Sequence, residues 1–257
     1  MKITALTENT TQLDLPVEHG LSLYIEACGH KILFDMGQTD LFAKNAEALG
    51  IDLKEIEIAA LSHGHYDHGG GLKAFLEINK KAPVYLSGYA FEPYYNGTEK
   101  YIGLDKALEN NPRFILTDDV TEICEGATLF SYKEINKLVD FGSAGLNKVQ
   151  NGRLVPDDFR HEQYLLIEER GKMVLFSSCS HNGIINIVSR FKPDVFIGGF
   201  HFTKLTAGET LRVYAETLDS FDTMYYTCHC TGVEQYDFMK KYMSNLEYFS
   251  EGQTIEI

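Results

Sequence analysis

Ser62-His63-Gly64-His65-Tyr66-Asp67-His68-Gly69-Gly70-Gly71-Leu72 is the stretch from which the fold can be read. The run before it, Ile56–Leu61, is apolar and reads as a buried strand ending at Ser62-His63. After it, Gly71–Ile78 reads as a helix with Leu72, Phe75 and Leu76 on one face. A buried strand therefore empties into a loop that carries three imidazoles and a carboxylate. His63 and His65 lie two residues apart, so in an extended segment they point the same way and can share one metal ion. Asp67 and His68 come after the chain starts to turn and can face a second ion beside the first. Imidazole and carboxylate suit zinc, iron or manganese, so the set does not choose among them. Metal pairs about 3.5–4 Å apart bind a bridging water and polarise a phosphoryl or carbonyl oxygen. A lone loop histidine is usually just solvated; three with an aspartate at a strand end are better explained by metal chemistry. Glycines 69 to 71 are not a phosphate-binding P-loop, because no Gly-Lys-Ser/Thr follows.

Strands and helices spread outward from this loop. On the N-terminal side Lys2–Thr7, Leu21–Glu26 and Lys31–Phe34 read as strands, and Phe42–Leu49 as a helix ended by Gly50. On the C-terminal side Pro83–Leu86 reads as a strand. The stretch 87–151 breaks the pattern with Pro93, Asn96-Gly97 and Asn110-Asn111-Pro112, leaving a weak helix near Leu104–Leu108 and strands at Arg113–Thr117 and Ala127–Tyr132. It is expected to be partly an insertion, or lid, beside the core. From Tyr164 the alternation resumes: a hairpin of Tyr164–Glu168 and Met173–Phe176, then Ile184–Arg190, Val195–Ile197, Thr210–Leu218, Met224–Tyr226 and Val233–Met243. Leu246–Ile257 ends in an alternating strand. Both halves begin with strands and move to strand–helix alternation, which suits two mixed sheets packed face to face with helices outside. The expected fold is thus α/β (α+β), an αββα sandwich in one domain spanning 1–257.

Composition narrows the partners. The chain has 257 residues, 44% of them hydrophobic, and 37 acidic against 23 basic residues give a formal net charge of -14. So acidic a surface disfavours nucleic acid and anionic membranes, but a small anionic substrate can still be held at a local cationic site. Five cysteines without framework spacing point to a reducing compartment. The N-terminus has no cationic segment followed by an apolar stretch, and no apolar run approaches membrane-spanning length. A cytoplasmic protein with a small-molecule substrate is the expectation. The oligomeric state is not legible.

The H-x-H-x-D-H loop resembles that of the metallo-β-lactamase superfamily, and the resemblance covers nearly the whole chain. Leu33-Phe34-Asp35-Met36-Gly37 is similar to the superfamily's early strand ending in aspartate and glycine, which implies that Asp35 supports the metal loop by hydrogen bonding. Glu18-His19-Gly20-Leu21-Ser22, Ser178-Cys179-Ser180-His181-Asn182-Gly183-Ile184, Gly198-Gly199-Phe200-His201 and Cys228-His229-Cys230-Thr231-Gly232 narrow the resemblance. They are similar to a subgroup that includes archaeal enzymes making a ribofuranosyl-aminobenzene-phosphate precursor of methanopterin. Many of its members are described only as metal-dependent hydrolases.

The implied metal ligands are His63, His65, Asp67, His68, His181 and His229, the last two at strand ends where the superfamily places its later ligands. Cys179 and His161 form a competing pair of ligand positions, with His181 preferred over Cys179. No bridging aspartate is apparent, so one-metal and two-metal centres both stay open. His19, His201, Asp35 and Cys179 are expected to support the site or face the substrate. Cys228 and Cys230, flanking His229, are expected to point into the core. The tyrosines of 89–101 are either pocket lining or surface aromatics.

One or two divalent ions, zinc first with iron or manganese as alternatives, would make hydroxide available near neutral pH, and Asp67 would orient the attacking water or accept its proton. The implied function is a metal-dependent hydrolase acting on a small phosphorylated or pterin-related substrate. A phosphoribosyl-transferring synthase and a non-catalytic metal-binding module are the alternatives.

Overall fold

The computed structural model describes residues 1–257. Two seven-stranded sheets form its centre. The first runs, in spatial order, Thr254–Glu256, Lys2–Thr7, Ser22–Ala27, His30–Phe34, Ile58–Ala60, Val84–Ser87 and Phe114–Thr117. Its first four strands pair antiparallel, and from His30–Phe34 onward the pairing is parallel. The second sheet runs Leu246–Tyr248, Met224–Thr227, Val195–Gly198, Lys172–Ser177, Gln163–Glu169, Ala127–Ser131 and Val120–Cys124. Here the first four are parallel and the rest antiparallel. Both sheets are mixed, as the sequence pattern implied.

Alternation along the strands explains the layering. One face of each sheet supplies a shared apolar core: Ile3, Leu23, Ile25, Ile32 and Phe34 from the first meet Leu129, Leu165, Ile167, Val174 and Phe176 from the second. The opposite faces carry helices. Leu41–Ala48 and Leu72–Ile78 cover the first sheet through Phe42, Ala46, Leu72 and Phe75. Ile184–Phe191, Glu209–Asp219 and Val233–Met239 cover the second through Ile187, Val188, Leu211, Ala215 and Met239. The result is an αββα sandwich. No helix is long and apolar enough to cross a membrane.

Residues 87–151 divide between layers. Phe114–Thr117, Val120–Cys124 and Ala127–Ser131 join the two main sheets. Tyr94–Asn96, Lys100–Tyr101 and Leu146–Gln150 form a small sheet of their own with Arg153–Pro156. The strand at Val120–Cys124 and this small sheet went unread, because glycine and asparagine turns cut the region into pieces too short to show a period. The C-terminal run, read as one strand, is two: Leu246–Tyr248 closes the second sheet and Thr254–Glu256 the first. The chain changes sheet through Phe249–Gln253, a switch that an alternating hydrophobic pattern does not reveal.

Topology decides where chemistry can gather. Asp35, Ser62-His63, Ser178–His181, His201 and His229 all follow the carboxyl ends of parallel strands. Glu8 and His19 flank antiparallel strands at that same edge, since Thr7 pairs with Ser22 and Leu23 with Phe34. Loops at the carboxyl ends of strands are where open α/β sheets place ligands.

Candidate metal centre

The H-x-H-x-D-H loop is held by close backbone packing. Gly64 lies so near the Ala90 carbonyl that a Cβ would run into it, and Gly70 and Gly71 press likewise on the carbonyls of Gln38 and Met36. The Tyr66 amide donates to the Ile102 carbonyl at 2.8 Å, joining the loop to the segment that follows the small sheet's short hairpin. Asp35, Ser180, His201 and His229 all take positive φ, between 49° and 61°. Left-handed backbone at non-glycine residues costs of order 1–3 kcal/mol each and clusters at functional sites.

Hydrogen bonds fix the direction of the imidazoles. Asp35 is fully buried. It accepts from the Ser62 amide (2.7 Å), the Ser62 hydroxyl (2.7 Å), the Ser178 hydroxyl (2.6 Å) and His68 Nδ1 (2.8 Å). Because the Ser62 hydroxyl donates to Asp35, its oxygen accepts from His63 Nδ1 at 2.8 Å. His229 Nδ1 donates to Asn9 Oδ1 at 2.9 Å. All three histidines therefore carry a proton on Nδ1 and turn Nε2 inward. His63 Nε2 stands 3.3 Å from His181 Nε2, His68 Nε2 is 3.3 Å from Cys179 Sγ, and His229 Nε2 is 3.5 Å from Asp67 Oδ2.

Donor atoms within 4.8 Å of one another form overlapping nests. One is His63, Cys179 and His181; a second is His68, Cys179 and His229; a third is His19, Asp67 and His229. His65 joins through its ring, 5.0 Å from that of His181 and 4.6 Å from that of His63. Cys179 belongs to the first two nests at once, so the choice between Cys179 and His181 dissolves: both face the cluster. His161 lies behind His65, its ring 5.0 Å from that of His65 and its donor atom grouped with those of His65 and Asp157. Its Nδ1 accepts from the Gly64 amide at 2.8 Å, which puts its proton on Nε2, 3.1 Å from Asp157. Both ring nitrogens are engaged, so His161 has no lone pair left for an ion.

The remaining expected residues also reach the site. His19 is exposed and places Nε2 3.2 Å from Asp67. Asn9 ties it to His229 by donating to His19 Nδ1 at 3.2 Å. His201 lines the cleft with its ring 4.3 Å from that of His181. Cys228 is buried in the inter-sheet core, as expected, but Cys230 is not there: it lines the cleft beside Cys179 and His201. The reason is local. His229–Thr231 form a 3-10 turn, so strand alternation does not carry across them. Among the tyrosines, Tyr94 is fully buried and stacks on His161 at 4.0 Å, whereas Tyr101 is exposed.

Three buried carboxyl groups escaped sequence reading. Asp157 receives the His161 Nε2 proton and lies 3.8 Å from His65 Nε2. Glu162 accepts from the amides of His181 (2.6 Å) and Asn182 (3.0 Å). Glu8 accepts from the His229 amide and, at 3.0 Å, from the Tyr248 hydroxyl. Each thus anchors one histidine-bearing loop. None of Glu8, Asp35, Asp67, Asp157 and Glu162 pairs with a lysine or arginine.

Electrostatics follow from burial. Burial and the neighbouring imidazoles push His63 and His181 well below the usual histidine range. Burial lowers His65 to about 4. Burial would raise Asp67, but His68, His19 and His229 outweigh it and hold the carboxyl well below its usual range. His229 is raised to about 9: burial opposes the charge, and Asp67 more than restores it. Inward-facing imidazole nitrogens, buried His65 and His229 Nε2 atoms without hydrogen-bond partners, and carboxyl groups without a lysine or arginine partner together fit divalent cations, an ion at His229 replacing the Nε2 proton that Asp67 otherwise holds there. The cleft above them has a volume of about 300 Å³.

Paired mixed sheets with histidines and carboxylates gathered at one edge define a metal-site αββα protein. The chain belongs to the metallo-β-lactamase superfamily, whose family model matches residues 15–212. It is 29% identical, over 100% of its own length and 96% of the relative's, to 7,8-dihydropterin-6-methyl-4-(β-D-ribofuranosyl)-aminobenzene-5'-phosphate synthase of Methanocaldococcus jannaschii. A solved structure described as Tm1679, a metal-dependent hydrolase of the β-lactamase superfamily, superposes with a TM-score of 0.86 at 29% identity, covering 100% of this chain and 99% of that one. Zinc-bound PqqB from Methylobacterium extorquens shares the fold at a TM-score of 0.62 and 12% identity, with 100% of both chains covered. Divalent-metal binding goes with this fold.

Proposed function

We propose that the chain is a metal-dependent hydrolase of a small molecule, holding one or two divalent ions, zinc first. His63, His65 and His181 would hold one ion and Asp67, His68 and His229 the other, and Cys179 offers its thiol to either set. The observation that carries this reading is the set of Nε2 atoms on His63, His68 and His229, each turned inward by a proton fixed on Nδ1. Such ions supply a nucleophilic hydroxide near neutral pH and stabilise developing negative charge on the substrate. The chain's own work is positioning. Asp35 aims His63, through Ser62, and His68. Asp67 lies at the mouth, where the exposed His19, its Nδ1 occupied by the Asn9 amide, donates its Nε2 proton to the carboxylate at 3.2 Å and orients it.

The test is metal analysis of purified protein together with turnover on phosphoester, carboxylic ester and lactone panels. Bound metal and hydrolysis that both vanish in His63→Ala and His65→Ala support the reading. Full turnover in either variant overturns it. Similarity to the archaeal synthase along the whole chain supports a second reading, group transfer from a phosphoribosyl donor to an aromatic acid. Product analysis separates the two: a joined aromatic–ribose product argues for transfer, and water addition for hydrolysis. Bound metal without turnover in either assay would leave a non-catalytic metal-binding module.

A further inference from the structure

The cleft over the histidine cluster has a charge pattern unlike that of the chain. The protein carries a net charge of -14, yet only one carboxylate, Asp67, lines this cleft, and that one lies against imidazoles. Two lysines line it, Lys100 and Lys204, and no arginine does. They come from different parts of the fold: Lys100 from the short hairpin of the small sheet, and Lys204 from the loop after Val195–Gly198. Lys100 Nζ donates to the Tyr66 hydroxyl at 3.1 Å and rests over the Tyr66 ring, one residue beyond His65. Lys204 Nζ donates to the Ala144 carbonyl at 2.7 Å. Neither makes a salt bridge, although the chain has 37 acidic residues to offer. An ammonium has three donors, and each of these uses one within the protein. Asn96 and Thr203 add neutral polar groups to the same lining.

We propose that Lys100 and Lys204 form an anion subsite that binds a phosphate group on the substrate, away from the bond that reacts at the histidine cluster. This rests on reading the cluster as the reaction centre. Two point charges flanked by amide and hydroxyl donors suit a compact dianion such as a phosphate monoester. A planar carboxylate is more often met by the bidentate fork of arginine, which is absent here. A cleft of about 300 Å³ suits one small phosphorylated molecule.

The test uses metal-loaded protein and two probes, ribose 5-phosphate and unphosphorylated ribose, with affinity read by calorimetry or by phosphorus NMR titration. Lys100→Gln and Lys204→Gln keep a polar donor and remove the charge, and as both side chains are exposed the fold should be unaffected. Each is expected to weaken ribose 5-phosphate about tenfold and the pair about a hundredfold, the scale of a charge-assisted hydrogen bond. Added salt should weaken wild-type binding more than that of the double variant. Ribose should bind feebly and equally to all forms. Lys81→Gln, an exposed lysine absent from the cleft lining, controls for net charge. Equal weakening in Lys81→Gln, or unchanged affinity in the double variant, overturns the subsite. If affinity follows His63→Ala but not the lysines, phosphate sits at the metal centre: the subsite falls while the hydrolase reading stands. If the lysine variants weaken binding but no substrate turns over, the subsite stands and the hydrolase reading falls.

Discussion

Replacing Asp157 by asparagine isolates the part of the site that lies behind the metal ligands. Asp157 is buried, with Oδ1 accepting from the Phe159 amide at 2.9 Å and Oδ2 from His161 Nε2 at 3.1 Å. Asparagine has only one acceptor oxygen. If it keeps the Phe159 bond, its NH2 group faces the His161 N–H, donor against donor. His161 cannot escape by changing tautomer, because the Gly64 amide already occupies Nδ1. The conflict passes directly to Gly64 and to His65, whose Nε2 loses the nearby carboxylate. Leaving a buried partner unpaired costs about 3 kcal/mol, which for a chain of this size is a fall in Tm of about 6–12 °C. Because His161 in turn holds the Gly64 amide between His63 and His65, metal binding is expected to weaken about 10–100-fold, the scale of losing a supporting hydrogen bond around a site.

Competition with a chromophoric chelator measures the affinity, and thermal unfolding of chelated and loaded protein measures the stability. The effect also has a pH signature. Burial would raise the Asp157 carboxyl, but His161 and His65 hold it far below the usual range. A depressed folded value gives stability that is present above the unfolded value of about 3.9 and is lost as pH falls through the folded one. The gap between wild type and variant should therefore be level from about pH 5 to 8 and close below about pH 4. Metal affinity within twofold of wild type together with an unchanged Tm would refute the argument.

Chelation should lower Tm strongly: free metal at a thousand times its Kd contributes about 4 kcal/mol, or about 8–16 °C, which scanning calorimetry reads directly. Gly64→Ala forces a methyl group against the Ala90 carbonyl, and loss of about 1–3 kcal/mol with weakened metal retention is expected in denaturant titrations of metal-loaded protein. Glu251, raised to about 7 chiefly by burial, lies away from the cleft. Its contribution is full below the ordinary glutamate value and is lost as pH rises through about 7, so wild-type stability should decline across that window. Glu251→Gln should flatten the decline in urea titrations run from pH 4 to 8.

What could be read in the sequence was whatever recurs locally. The histidine loop, the helix behind it and the hairpin around Arg170-Gly171 announce themselves within a dozen residues, and strand ends bearing His181 and His229 follow from the alternation. The anchoring carboxyl groups do not. Glu8 meets the His229 amide across 221 residues of chain, and Asp157 sits in a Pro-Asp-Asp run that looks like any surface turn. Their burial is a product of the whole topology. Cys230 was misplaced because a single 3-10 turn breaks the alternation that placed Cys228 correctly. That Lys100 and Lys204 line one cleft was equally invisible, since nothing local links a hairpin in the small sheet to a loop after Gly198.

The spread of the anchoring residues governs how the protein comes to hold its metal during synthesis. The four histidine-loop residues His63, His65, Asp67 and His68 leave the ribosome early, but Glu162 comes 94 residues behind His68, His181 113 behind it, and His229 later still. At 5–20 residues per second, the interval between His68 and His229 is about 8–32 s. Throughout it, three imidazoles and a carboxylate are exposed without the partners that fix their tautomers. An ion met in that interval would bind an incomplete nest and exchange freely. On the proposed ligand set, tight retention would begin only when the His229 loop closes against Glu8, one of the first residues made, so metal content would rise only with chains folded that far.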